Sequence, residues 1–105
     1  MDGPLASLNS VQKFANDFLQ DFKVLDILIL NAGIMGHPHA MSEDNLELTF
    51  QVNYLSHFYL SHLLQSAMNK AIMPKIVSIS SESHRFSQIT NSEEFLAESC
   101  LNKVL

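Results

Sequence analysis

Three short groups of residues could do chemistry, and they stand in a fixed order along a chain of 105 residues. Asp26-x4-Asn31-Ala32-Gly33 ends an apolar run, Asn53 interrupts a helical pattern, and Ile76-Val77-Ser78-Ile79-Ser80-Ser81 carries a second apolar run into two serines. A serine hydroxyl at a strand exit can hydrogen-bond the oxygen of an alcohol or a carbonyl. It needs a base before it can act as a nucleophile. Asparagine is a poor helix former whose side chain competes for backbone hydrogen bonds, so Asn53 can open a helix locally. Ala32 and Gly33 carry little or no side chain, which lets another group approach the backbone there.

The other reactive residue types form no set. His37 and His39 share a loop, and His57 and His62 are five residues apart, a spacing that does not bring them onto one helical face. No Cys or carboxylate completes a metal site around them. Cys100 is a single thiol and cannot form an internal disulfide, which fits a reducing compartment. Six Lys+Arg against 11 Asp+Glu leave a net charge of -5, with the bases scattered. No basic stripe follows a phosphate backbone, so no nucleic-acid partner is expected. Met1-Asp2-Gly3-Pro4 has no signal-peptide pattern, and the apolar run Ile27 to Leu30 is too short to span a bilayer. A soluble, cytoplasmic protein is the expectation.

The elements that must position these residues are legible from periodicity. Val11, Phe14, Ala15, Phe18 and Leu19 predict a helix over Ser10 to Gln20, capped by Asn9 or Ser10. Val24 to Leu30 reads as a strand buried on both faces, as in a parallel sheet. Gly36 and Pro38 make Ile34 to Met41 irregular. Ser42 is expected to cap a long helix to about Asn69, with Glu43 and Asp44 at its positive end and Leu48, Val52, Leu55, Tyr59 and Leu63 along one side. Pro74 breaks that pattern before a second strand, Lys75 to Ser80. Alternating helices and strands point to an α/β layer with parallel strands. In 91–105, Asn91 and Glu94 have capping-box spacing, which suggests a short terminal helix without chemistry.

With this order and these elements, the chain resembles the short-chain dehydrogenase/reductase family over Leu5 to Phe86. The resemblance rests on the helix opening Leu5 to Val11, the strand into Asn31-Ala32-Gly33, Phe50-Gln51-Val52-Asn53 and the strand into Ser80-Ser81. Phe50 to Leu60 and Ser80 to Phe86 look most like the branch of retinol-dehydrogenase-like and WW-domain-bearing oxidoreductases. The resemblance implies an incomplete Rossmann-type doubly wound parallel sheet, with two strands and two to three helices. Residues 1–90 would be the central part of a dinucleotide-binding domain and 91–105 a tail.

The resemblance also implies roles. Asn31, Ala32 and Gly33 would border the adenosine half of NAD or NADP, with the Asn31 amide bracing the central strand. Asn53 would sit at a helix kink where its backbone helps hold a water in a proton relay. Ser81, with Ser80 as the fallback, would hydrogen-bond the substrate oxygen. In the family a Tyr phenol moves the proton, and a Lys four residues later lowers the phenol pKa while hydride passes to or from the nicotinamide.

The sequence departs from that pattern in four places. No Tyr occurs between Glu82 and Leu105; the tight family spacing would put Tyr and Lys at Glu94 and Glu98, and the longer branch would put both beyond Leu105. Tyr54 and Tyr59 have no Lys four residues later. The Gly-rich phosphate turn Thr-Gly-x3-Gly-x-Gly is absent. Pro4 replaces the family's adenine-contacting Asp, and Leu30 replaces the first Asn of Asn-Asn-Ala-Gly. The expectation is a truncated NAD(P)-dependent oxidoreductase, inactive by itself, whose full domain interconverts a lipophilic alcohol and its carbonyl. The alternative is a non-catalytic interaction protein that pairs with a full-length relative through the long helix, giving a homo- or hetero-oligomer of family members.

Overall fold

A computed structural model describes residues 3–86 of the chain. A 3-10 turn at Pro4–Ala6 enters helix α1 (Leu8–Asp21), which is followed by strand β1 (Ile27–Leu30). A second helical stretch comprises α2 (Leu48–Phe50), a π-helical turn (Gln51–Leu55), α3 (Ser56–Leu63) and α4 (Gln65–Met68). Strand β2 (Lys75–Ser78) and a 3-10 turn (Glu82–Phe86) complete the described chain. The terminal helix expected in 91–105 lies outside the described residues.

The cap of α1 is Ser7, not Asn9 or Ser10. Ser7 has extended backbone (φ -139°, ψ 123°), and its Oγ accepts from the Ser10 backbone N–H at 3.3 Å, so Ser10 is already helical. Glu43 and Asp44 do meet a helix N-terminus, but it is that of α1. Asp44 Oδ2 accepts from the Leu8 N–H at 2.8 Å, and the Ser7 hydroxyl donates to Glu43 Oε1. Two acids therefore face the positive end of the α1 dipole.

The second helical stretch starts at Leu48 rather than after Ser42. Asn45 takes φ 58° in a turn closed by the Met41–Glu47 bridge, so the chain reverses before it can coil. Ser42 Oγ caps that turn, accepting from Asp44 N and Leu46 N. The helix cap is Glu47, whose carboxylate accepts from Thr49 N at 3.1 Å and Phe50 N at 2.7 Å. Ser56 N–H reaches back five residues to Gln51 O, which is the π-helical bond. This wider turn displaces every later side chain by one position. The buried face is therefore Leu48, Val52, Ser56, Leu64, Ala67 and Met68, while Leu55, Tyr59 and Leu63 are only partly buried.

The two strands pair in parallel, from Ile27 opposite Lys75 to Leu30 opposite Ser78, and Ile79 N donates to Leu30 O at 3.1 Å. Both are shorter than the apolar runs that predict them. Burial on both faces is not found: Ile27 and Ile29 are 53% and 61% exposed, and Ile76 and Val77 are exposed too. Among the described residues no third strand or second helical layer covers that face. The core sits on the other side, where Val11 and Ala15 of α1 are buried and α1 packs on α3.

Candidate functional site

Parallel pairing sends Asn31-Ala32-Gly33 and Ile79-Ser80-Ser81 off the same end of the sheet. In an open α/β sheet this carboxyl edge is where ligands bind. Asn53 reaches the same edge from the π-helical turn. Its Oδ1 accepts from the Ile34 N–H and its Nδ2 donates to the Ile34 carbonyl, both at 2.8 Å. One amide thus satisfies both backbone groups of the residue after Gly33.

That geometry explains Gly33. A Cβ there would stand 3.2 Å from Asn53 Oδ1, so the glycine serves close approach. Asn31 is exposed at the end of β1, and the amide that fixes the loop after Gly33 is that of Asn53. Ala32 and Gly33 line a cavity of about 200 Å³ together with Pro4, Leu5, Ile34 and Val52. Ser56, fully buried on the next turn, donates from Oγ to Leu5 O at 2.6 Å and fixes the other wall.

Ser81 begins the 3-10 turn after β2. Its Oγ accepts from the Ser83 backbone N–H at 3.1 Å and donates to Ser83 Oγ at 3.1 Å, while its carbonyl lies 2.7 Å from His84 Nδ1. Ser80 is exposed beside it. Among the described residues no hydrogen bond links Ser81 to Asn53, so the edge brings Ala32, Gly33 and Asn53 into one assembly and leaves Ser81 as a separate arm.

Two neighbours of Asn53 were not singled out by the sequence. Gln51, fully buried, donates from Nε2 to Asp44 Oδ2 at 2.8 Å, and its Oε1 has no hydrogen-bond partner. The π-turn is thereby tied to the carboxylate that caps α1. Their seven-residue spacing gives no signal, because Asp44 lies in a turn and not on the helix. His57 is the second. Burial pushes its imidazole below the ordinary histidine value of 6.5, opposed by a hydrogen bond with the Asn53 backbone. Among the described residues no group of His, Cys, Asp and Glu could hold a metal, and no helix is long and apolar enough to cross a membrane.

The wall at Leu5, Ala32 and Gly33 suits a flat, weakly polar group such as the adenosine half of a dinucleotide. It offers no cradle of backbone amides or basic side chains for a diphosphate among the described residues, so the fit to NAD(P) is partial.

Comparison with known proteins agrees with this layout. The chain is 47% identical over 98 residues to a WW domain-containing oxidoreductase of Gallus gallus, spanning 93% of this chain and 24% of that protein. It is 39% identical over 99 residues to Retinol dehydrogenase 14 of Mus musculus, spanning 94% of this chain and 29% of the relative. The chain thus spans about a quarter of the length of these relatives. A crystal structure of an uncharacterized protein from Mycobacterium Paratuberculosis matches with TM-score 0.65 and 36% identity, over 76% of this chain and 27% of the other. The family model for short chain dehydrogenase matches residues 2–92, and the chain belongs to that family.

Proposed function

We propose that residues 1–90 form the central part of the dinucleotide-binding domain of an NAD(P)-dependent oxidoreductase that interconverts an alcohol and a ketone or aldehyde. The observation that carries this reading is the double hydrogen bond of Asn53 to Ile34 beside Gly33. It spends a side-chain amide on fixing the loop after Gly33, at the edge where ligands bind. Asn31, Ala32 and Gly33 would border the adenosine half, with Leu5 on the adjoining wall. When bound, the nicotinamide supplies hydride donation or acceptance. Ser81, released from Ser83 by rotation of its hydroxyl, would donate a hydrogen bond to the substrate oxygen, with Ser80 as the fallback. Asn53 would hold the π-turn open, its backbone contributing to proton relay. A lipophilic alcohol is the substrate class, drawn from the name of Retinol dehydrogenase 14. The single cysteine fits a reducing, cytoplasmic setting.

These 105 residues contain neither a Tyr-x3-Lys pair nor the Gly-rich phosphate turn. Without the phenol and lysine that move the proton in the family, Ser81 has no activated acid or base to work with, so by themselves these residues are inactive. Titration of the purified chain with NADPH, followed by nucleotide fluorescence, should give no saturable binding below millimolar concentration and no turnover. Robust turnover would overturn the reading.

A second reading, pairing with a full-length relative, is favoured by one observation. Phe50, Tyr54 and Phe58 stack along the second helical stretch with ring centroids 5.3 and 6.4 Å apart, and Tyr54 and Phe58 are 56% and 64% exposed. Apolar surface of this kind is what an interface between family members would cover. Co-expression with a full-length relative should yield a mixed species on size exclusion, and separate elution would remove this alternative.

A further inference from the structure

The end of the sheet opposite the candidate site carries a different chemistry. The turn between α4 and β2 holds Ile72 and Met73 98% and 72% exposed, and nothing in the proposed reaction uses them. The turn is not loose: Lys70 N and Ala71 N donate to Ala67 O and Met68 O at 3.3 and 3.0 Å, and Pro74 stiffens its exit. Lys70 and Lys75 flank the apolar tip, and among the described residues neither is in an ion pair. The entry to β1 runs alongside, because Leu25 N donates to Ala67 O at 3.1 Å and Lys75 N to Asp26 O at 2.9 Å. It adds exposed Val24 and Lys23 to the same edge, the Lys23 ammonium donating to the Leu19 carbonyl at 2.7 Å. Three of the chain's six bases are gathered here against Asp21 and Asp26, an excess of one positive charge in a chain of net -5.

We propose that this edge is a peripheral membrane contact, in which Ile72 and Met73 enter the headgroup region of an anionic bilayer while Lys23, Lys70 and Lys75 meet lipid phosphates. The physics favours a bilayer over a protein groove. An exposed apolar tip held by backbone hydrogen bonds and flanked by lysines needs no complementary shape, only an interface that is apolar below and negative above. Lysine stems can lie along the apolar layer with their ammonium groups at its surface. Two apolar side chains give weak, reversible binding that depends on the lysines, so affinity should fall with salt. The inference is independent of the proposed reaction, since it uses none of the residues at the carboxyl edge.

The chain has no tryptophan, so a single introduced indole reports on its own position. Ile72→Trp in the full chain, mixed with phosphatidylcholine vesicles containing phosphatidylserine, should show a blue-shifted emission and quenching by lipids brominated near the headgroup. Phe86→Trp, at an 85% exposed position beyond the other end of the sheet, should show neither. Adding Lys70→Gln and Lys75→Gln to the Ile72→Trp chain should weaken binding to these vesicles roughly tenfold and reduce its salt dependence. No shift at residue 72 would overturn the proposal. So would equal shifts at both positions, which would mean indiscriminate adsorption, or a shift at residue 72 produced by self-association without vesicles, which would assign the tip to a protein partner.

Discussion

Asn53 holds both backbone atoms of Ile34, so its loss has a definable cost. Asn53→Ala should lower stability by about 1–2 kcal/mol, read as a shift in the urea midpoint, because an N–H and a carbonyl lose their partners together. Gly33→Ala pushes a methyl group against the same amide at 3.2 Å and should cost about 1 kcal/mol. The two should be non-additive, since the methyl group meets nothing once the Asn53 amide is gone. Strict additivity would mean that Gly33 is not there for Asn53. His57 gives a pH dependence with a definite sign. Its pKa is lower in the folded chain than the ordinary 6.5, so the unfolded chain takes up its proton first as pH falls. Stability is complete above pH 6.5 and declines below it, until the folded form is protonated as well. His57→Gln should flatten that decline in a series of melts between pH 7.5 and roughly 5.

At the scale of elements, the capping network decides where helices begin. Asp44→Ala orphans both Leu8 N and Gln51 Nε2 and should cost about 2 kcal/mol. Gln51→Met loses one hydrogen bond but also removes the partnerless Oε1, so it should stay within about 1 kcal/mol of the parent. Urea midpoints of the two variants give the order directly, and the reverse order would contradict the network. Element types and their parallel arrangement were legible in the sequence, because period 3.6 and short apolar runs are local signals. Asn53 as a helix-opening residue was legible for the same reason. The true cap was not: the sequence offered Asn9 or Ser10, and the contact with Glu43 that goes with Ser7 as the cap is tertiary. Nor was the one-residue shift at the π-turn, since Leu55 and Ser56 fit a continuous helix equally until Gln51 is tied to Asp44. The Asn53–Ile34 pairing was hidden for the same reason, being a contact between residues far apart in the chain.

For the whole molecule, the balance of buried and exposed apolar surface sets the behaviour. Among the described residues eight apolar ones are buried, while fifteen large ones are exposed, among them Ile27, Ile29, Ile76 and Ile79 around the sheet. A core that small is marginal against chain entropy. The isolated chain should bind a hydrophobic dye at neutral pH and melt over a broad range; a sharp melt without dye binding would show that the sheet faces are covered. The same imbalance fits a part of a larger domain, and the family match from 2 to 92 assigns that domain. The proposed function gives Ser81 and Asn53 places in the catalytic site of an oxidoreductase whose proton-transfer pair is absent from these residues. Its most direct measurement is the turnover of a chimera in which residues 3–86 replace the matching segment of Retinol dehydrogenase 14, assayed with NADP(H) and retinoid. The chimera should turn over measurably, lose about 10²–10³ in kcat with Ser81→Ala, and retain its KM for nucleotide. Turnover unaffected by Ser81→Ala and by Ser80→Ala in a folded chimera would contradict it.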